Sequence, residues 1–195
     1  MTNLNKYTPV LNYQSFKSKE PLPQPQTADL NSESYFSHFT GIVREINILN
    51  YNFYSTNYVL VENSDGEIAN LIISEDTYFV YDGMITVGSI ITGYFPTNAP
   101  VPLIYPPQYY VMVVKVEPVW QQIKVDYFDD DLVSADGVLK LEIGDHTNII
   151  TQDGEPYTGD LENRLLVVYY GVSTRSIPAI AIPLQVVVLD AMPSY

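Results

Sequence analysis

The chain has 195 residues, 46% of them hydrophobic and 16% charged, enough apolar matter for folded cores. Its 9 Lys and Arg against 23 Asp and Glu give a formal charge of −14, which repels phosphate backbones and sets nucleic acid aside as a partner. There is no cysteine, which excludes disulfides, thiolate metal centres and thiol nucleophiles. No apolar run approaches the ~18 residues of a membrane-crossing helix.

Residues 1–39 read as an extended arm. Pro9 and then Pro21, Pro23 and Pro25 favour extended geometry and exclude helix. Within the arm, Tyr7, Val10, Leu11, Tyr13 and Phe16 form a segment rich enough in aromatic and branched side chains to make an edge strand. The arm balances Lys6, Lys17 and Lys19 against Glu20, Asp29 and Glu33, so the net negative charge resides in residues 40–195. The first residues lack the apolar core of a signal peptide, which leaves a cytosolic protein, a mature fragment or another export route.

From residue 40 the pattern is strand-rich. Strands are predicted over 41–46, 57–62, 68–73, 78–80, 89–94 and 110–116, with a hairpin turn at Asn63-Ser64-Asp65-Gly66, where Asp and Gly tolerate positive φ. A second series is predicted over 123–128, 138–143, 148–151, 165–170 and 185–189. Alternation in 138–143 places Leu139, Leu141 and Ile143 on the core face. No stretch shows helical periodicity.

The two series match. Leu71 to Thr77 aligns with Leu141 to Thr147, Ile90 to Tyr94 with Leu165 to Tyr169, and a Pro-x-Ile-x-x-Pro signature at Pro102–Pro107 with Pro178–Pro183. A repeat of this kind implies two similar units of roughly 75 residues each. The expectation is an all-β protein: two tandem small β-barrels of the OB-like type, related by internal duplication, over 40–116 and 117–190, with a tail at 191–195.

Residues 40–116 and 123–189 resemble an uncharacterised pair of β domains in clostridial proteins, often found ahead of a copper amine oxidase N-terminal-like stalk domain in cell-surface proteins. The resemblance is carried by Ile72 to Thr77, Pro102 to Tyr109, Leu161-Glu162-Asn163-Arg164 and Ser173 to Pro178. It implies a cell-surface location and no activity.

Candidate sites are few. Asp129, Asp130 and Asp131 offer hard oxygen ligands of the kind that bind calcium, but the spaced acidic loop of a calcium site is missing and a solvated turn is the plainer role. His38 and His146, the two histidines, lie in different segments, with no nucleophile–base pair or phosphate loop in view, so no catalytic residue is assigned. Tyr105, Tyr109 and Tyr110 crowd around three prolines and make a rigid amphipathic surface suited to a polysaccharide or a protein partner, or to internal bracing. The leading expectation is a non-enzymatic structural protein that forms oligomers or filaments by strand addition from its arm.

Overall fold

The computed structural model describes residues 34–51, 54–81 and 83–190. The arm residues Tyr7, Val10, Leu11, Tyr13 and Phe16 and the tail at 191–195 lie outside them. Among the described residues there are thirteen strands and no helix. They are β1 (Phe36–Tyr51), β2 (Tyr54–Glu62), β3 (Ile68–Ile73), β4 (Tyr78–Val80), β5 (Ile90–Pro96), β6 (Gln108–Tyr110), β7 (Val113–Val116), β8 (Gln122–Phe128), β9 (Leu139–Leu141), β10 (Asn148–Thr151), β11 (Arg164–Tyr170), β12 (Ala179–Ala181) and β13 (Gln185–Val188).

The chain is all-β, in sheets of seven, four and two strands: β4-β7-β5-β1-β2-β3-β6, β10-β13-β11-β8 and β12-β9. The pairing in the two halves follows one scheme. β1 runs antiparallel to β5, β5 antiparallel to β7, β4 parallel to β7 and β3 parallel to β6. In the same way β8 runs antiparallel to β11, β11 antiparallel to β13, β10 parallel to β13 and β9 parallel to β12. The halves differ at the second strand. β2 pairs along its length with β1 and β3, whereas its counterpart shrinks to Val133 and Ser134, which make single bridges to Lys140 and Phe128. That loss leaves the second half in two sheets.

Hydrogen-bond register corrects the alignment of the proline signature. Tyr94 faces Val113 and Tyr169 faces Gln185, so Val113 is the counterpart of Gln185, and Pro106 that of Pro178. Both are cis prolines. The match of Pro102 to Pro178 slips by four residues, and the counterpart of Tyr105 is Ile177, not Ala181. A threonine confirms this register: Thr77 Oγ1 donates to Val111 O (2.8 Å) and accepts the Ser74 N–H (3.1 Å). Thr147 Oγ1 does the same with Pro183 O (2.8 Å) and Gly144 N–H (3.1 Å).

Several strand boundaries also move. β1 starts at Phe36, inside the expected arm, because its first residues pair with β5 from Pro96 onward. The expected 110–116 strand divides around Val111 and Met112, whose N–H groups turn to opposite sides: Val111 bonds to Ile72 O and Met112 to Tyr94 O. β9 covers only Leu139–Leu141, and Ile143 beyond it is exposed. β12 is an addition to the expected strands, since Ala179–Ala181 carries little β-branched character. The hairpin turn forms as expected, with Asn63 Oδ1 accepting the Asp65 and Glu67 N–H groups and Gly66 at φ 81. Gly41 is required by sheet geometry, because a Cβ there would collide with the Glu62 carbonyl.

Three apolar clusters form the core. Val43, Val59, Leu71, Ile73, Ile91 and Val114 fill the first half; Phe128, Leu139, Leu141, Leu166, Val168 and Val186 fill the second. The third lies between them and draws on both: Phe36, Val80 and Val113 meet Val125, Val167, Tyr169, Val187 and Leu189. β11 and β13 are therefore buried on both faces, which explains their unbroken apolar runs. The Tyr78 and Tyr169 hydroxyls hydrogen-bond across this layer at 2.9 Å.

Candidate functional site

Where the halves meet, a cleft of about 540 Å³ is lined by His38 of β1, Tyr94 of β5, Ile123 and Lys124 of β8, and Asp136. Its polar lining includes Lys124 and Asp136, and Lys124 also pairs with the fully buried Asp126. Lys124 and Asp126 stand two apart on β8 and so share a face, the one that carries Phe128 into the second core. Lys124 Nζ donates to Asp136 Oδ2 and lies 3.2 Å from Asp126 Oδ2.

Each carboxylate is held by named donors. Asp126 is fully buried. Its Oδ1 accepts the N–H groups of Tyr35 (2.8 Å) and Tyr127 (3.0 Å), while Oδ2 is aligned for no hydrogen bond and has only the ion pair. Burial pushes the Asp126 carboxyl above the usual carboxylate range, with Lys124 and the Tyr35 N–H opposing in part. Asp136 Oδ1 accepts from the buried Ser134 hydroxyl (2.6 Å) and the Val138 N–H (3.1 Å). Burial opposes its ionisation too, but hydrogen bonds from Lys124 and Ser134 win and hold the Asp136 carboxyl below its ordinary value.

The first half has no counterpart to these charges. By strand register, Lys124 corresponds to Phe39 and Asp126 to Gly41, and the first half packs Phe39 against its core. Ionic groups taken into an interior carry a desolvation cost of several kcal/mol each unless well paired, so their presence distinguishes the second half from the first. In the sequence, Asp126 stands at the start of an acidic run that reads as solvated. The signal available was the Lys-x-Asp spacing within an apolar strand.

The other expected residues fall elsewhere. Asp129 Oδ1 accepts the Asp131 and Val133 N–H groups, both at 2.9 Å, which is turn chemistry. Among the described residues no group of three or more His, Asp or Glu side chains is placed to hold a metal ion, Asp129, Asp130 and Asp131 included. Tyr109 stacks on Phe95 (centroids 4.1 Å apart) and packs against the first core. Tyr110 is 37% exposed and Tyr105 81%. His38 lies beside Tyr94, with ring centroids 6.0 Å apart. No family model, curated protein or solved structure matches the chain.

Proposed function

We propose that the protein is a non-enzymatic structural protein of the cell or spore surface, and that it assembles into oligomers or filaments when the arm of one copy adds a strand to a neighbour. The observation that carries this reading is an open strand edge beside an apolar groove. β5 covers β1 only as far as Ile42, and Val43 then bonds to Gly88 and Ser89. Among the described residues no strand flanks 45–51 on that side. Next to this edge lies a groove of about 390 Å³ lined by Ile46, Ile48, Val59, Ile73, Phe79 and Met84, of which Ile48 is 61% and Met84 82% exposed.

A donated strand gains main-chain hydrogen bonds from an open edge and places alternate side chains in the groove. The arm segment with Tyr7, Val10, Leu11, Tyr13 and Phe16 has suitable side chains, and its balanced charge spares it the repulsion between bodies. The reading includes two OB-like barrels of common origin. It is supported by the shared pairing scheme and by the way β6 and β7, two residues apart, reach strands at both ends of the seven-strand order. The surface location rests on the clostridial resemblance.

Removal of residues 1–33 tests the assembly and leaves the Tyr35 N–H bond to Asp126 intact. Light scattering should show the full chain as assemblies and the truncated chain as a monomer; normal assembly without the arm would refute the reading. A second reading is favoured by the exposed Leu103, Ile104 and Tyr105, a rigid aromatic tip suited to a polysaccharide or a protein partner. It requires a monomer whose binding on a glycan array or in a pull-down is lost in Tyr105→Ala.

A further inference from the structure

We propose that Lys124 and Asp136 join through an intramolecular amide bond between the lysine Nζ and the aspartate Cγ, with Asp126 as the proton-transferring carboxyl. The three groups stand in the order the reaction needs. Nζ is in hydrogen-bond contact with Asp136 Oδ2, and the buried Asp126 directs its hydrogen-bond-free oxygen at the same nitrogen from 3.2 Å. Asp136 Oδ1 is cradled by the Ser134 hydroxyl and the Val138 N–H, two donors placed where negative charge develops when a nucleophile adds to Cγ.

The step balances without any further reagent. Lys124 begins as the ammonium and Asp136 as the carboxylate. Asp126 Oδ2 takes one proton from Nζ and passes it to Asp136 Oδ2, which leaves a neutral amine facing a neutral carboxylic acid. The lone pair on Nζ attacks Cγ, and the electrons of the C–Oδ1 double bond move onto Oδ1, where Ser134 and Val138 meet them. Asp126 then carries a second proton from nitrogen to Oδ2. The Cγ–Oδ2 bond breaks, water departs, the Cγ–Oδ1 double bond re-forms, and nitrogen keeps one hydrogen as the amide. The charges of lysine and aspartate cancel, and Asp126 ends as it began.

Two further observations bear on this chemistry. Burial raises the affinity of Asp126 for a proton, as proton transfer requires. The competing closure, attack on Asp136 Cγ by the backbone nitrogen of Gly137, is restrained because the Gly137 N–H is bound to Ser134 O at 2.7 Å. The link would bind β8 to the turn that carries Val133 and Ser134, the remnant of the strand that the second half lacks. It supplies a covalent staple in a chain without cysteine.

The test is intact mass spectrometry of the purified full chain under denaturing conditions, followed by digestion and tandem mass spectrometry. The expected mass is that of the chain less one water, and digestion releases a branched peptide joining the segment around Lys124 to that around Asp136. Lys124→Arg and Asp126→Asn should each restore the full mass, with circular dichroism spectra like that of the wild type. A wild-type chain of full mass, cleaved by trypsin after Lys124, overturns the proposal. So does a water loss that persists in Lys124→Arg or reverses in mild alkali, since that is a succinimide at one of the four Asp-Gly pairs, at 65–66, 82–83, 136–137 and 153–154. Water loss that persists in Asp126→Asn, with the branched peptide present, overturns the role of Asp126.

Discussion

Val186 and Val187 are adjacent on β13, are both fully buried and point into different cores. Val186 lies with Phe128, Leu139 and Leu141 inside the second half, and Val187 lies in the layer shared with Val80 and Val113 of the first. Replacing either by alanine removes two methyl groups, a transfer loss of about 1.5 kcal/mol, and the cavity left behind brings the total to about 2–3 kcal/mol. For a chain of this size that lowers Tm by roughly 4–12 °C. Urea unfolding followed by circular dichroism gives each loss, and calorimetry reports the number of transitions. If the layer between the halves is packed as tightly as their interiors, Val187→Ala costs as much as Val186→Ala, and Val80→Ala, from the other half, shifts the same single transition. A Val187→Ala protein within about 0.5 kcal/mol of wild type, or separate transitions for the halves, would refute the argument that the shared layer makes them one cooperative unit.

The duplicated threonines give a paired expectation. Thr77→Val and Thr147→Val each strand a backbone carbonyl and an N–H, at Val111 and Ser74 or at Pro183 and Gly144; each should cost about 1–2 kcal/mol in urea unfolding, with Thr→Ser close to neutral. Equal stability in the valine variants would sink this account. At high pH, burial with help from Glu117 pushes the Tyr94 phenol up to about 12 from 10.0. A phenol that holds its proton more tightly when folded contributes its stability below 10 and loses it as pH rises from there to about 12. Tyr94→Phe should therefore flatten part of the alkaline fall in stability; unfolding curves with the same slope in both proteins would contradict the assignment.

Most strands were legible because their side chains carry the information locally: β-branched runs between turn residues, as in Ile68–Ile73 or Arg164–Tyr170. What covers the second face of β11 and β13 was not, since an unbroken apolar run signals burial on both sides without naming the element that supplies it. The proline signature misled for a related reason. Short Pro and Ile patterns align in more than one register, and only the Tyr94–Val113 and Tyr169–Gln185 pairs choose between them. At the site, Lys124 and Asp126 could be put on one face from their spacing, yet Asp136 reaches them through a turn whose path depends on Ser134 and Leu139. Asp126 is easily misjudged because neighbouring Asp129, Asp130 and Asp131 give the stretch the look of a surface.

The layer between the halves draws on β1, β4, β5 and β7 from one side and on their counterparts β8, β10, β11 and β13 from the other. Each half thus offers its partner the face that it receives. A half produced by itself would bare that apolar face. The short segment from Glu117 to Gln121 keeps the matching face permanently at hand, so the two halves meet at an effective concentration that free domains would not reach.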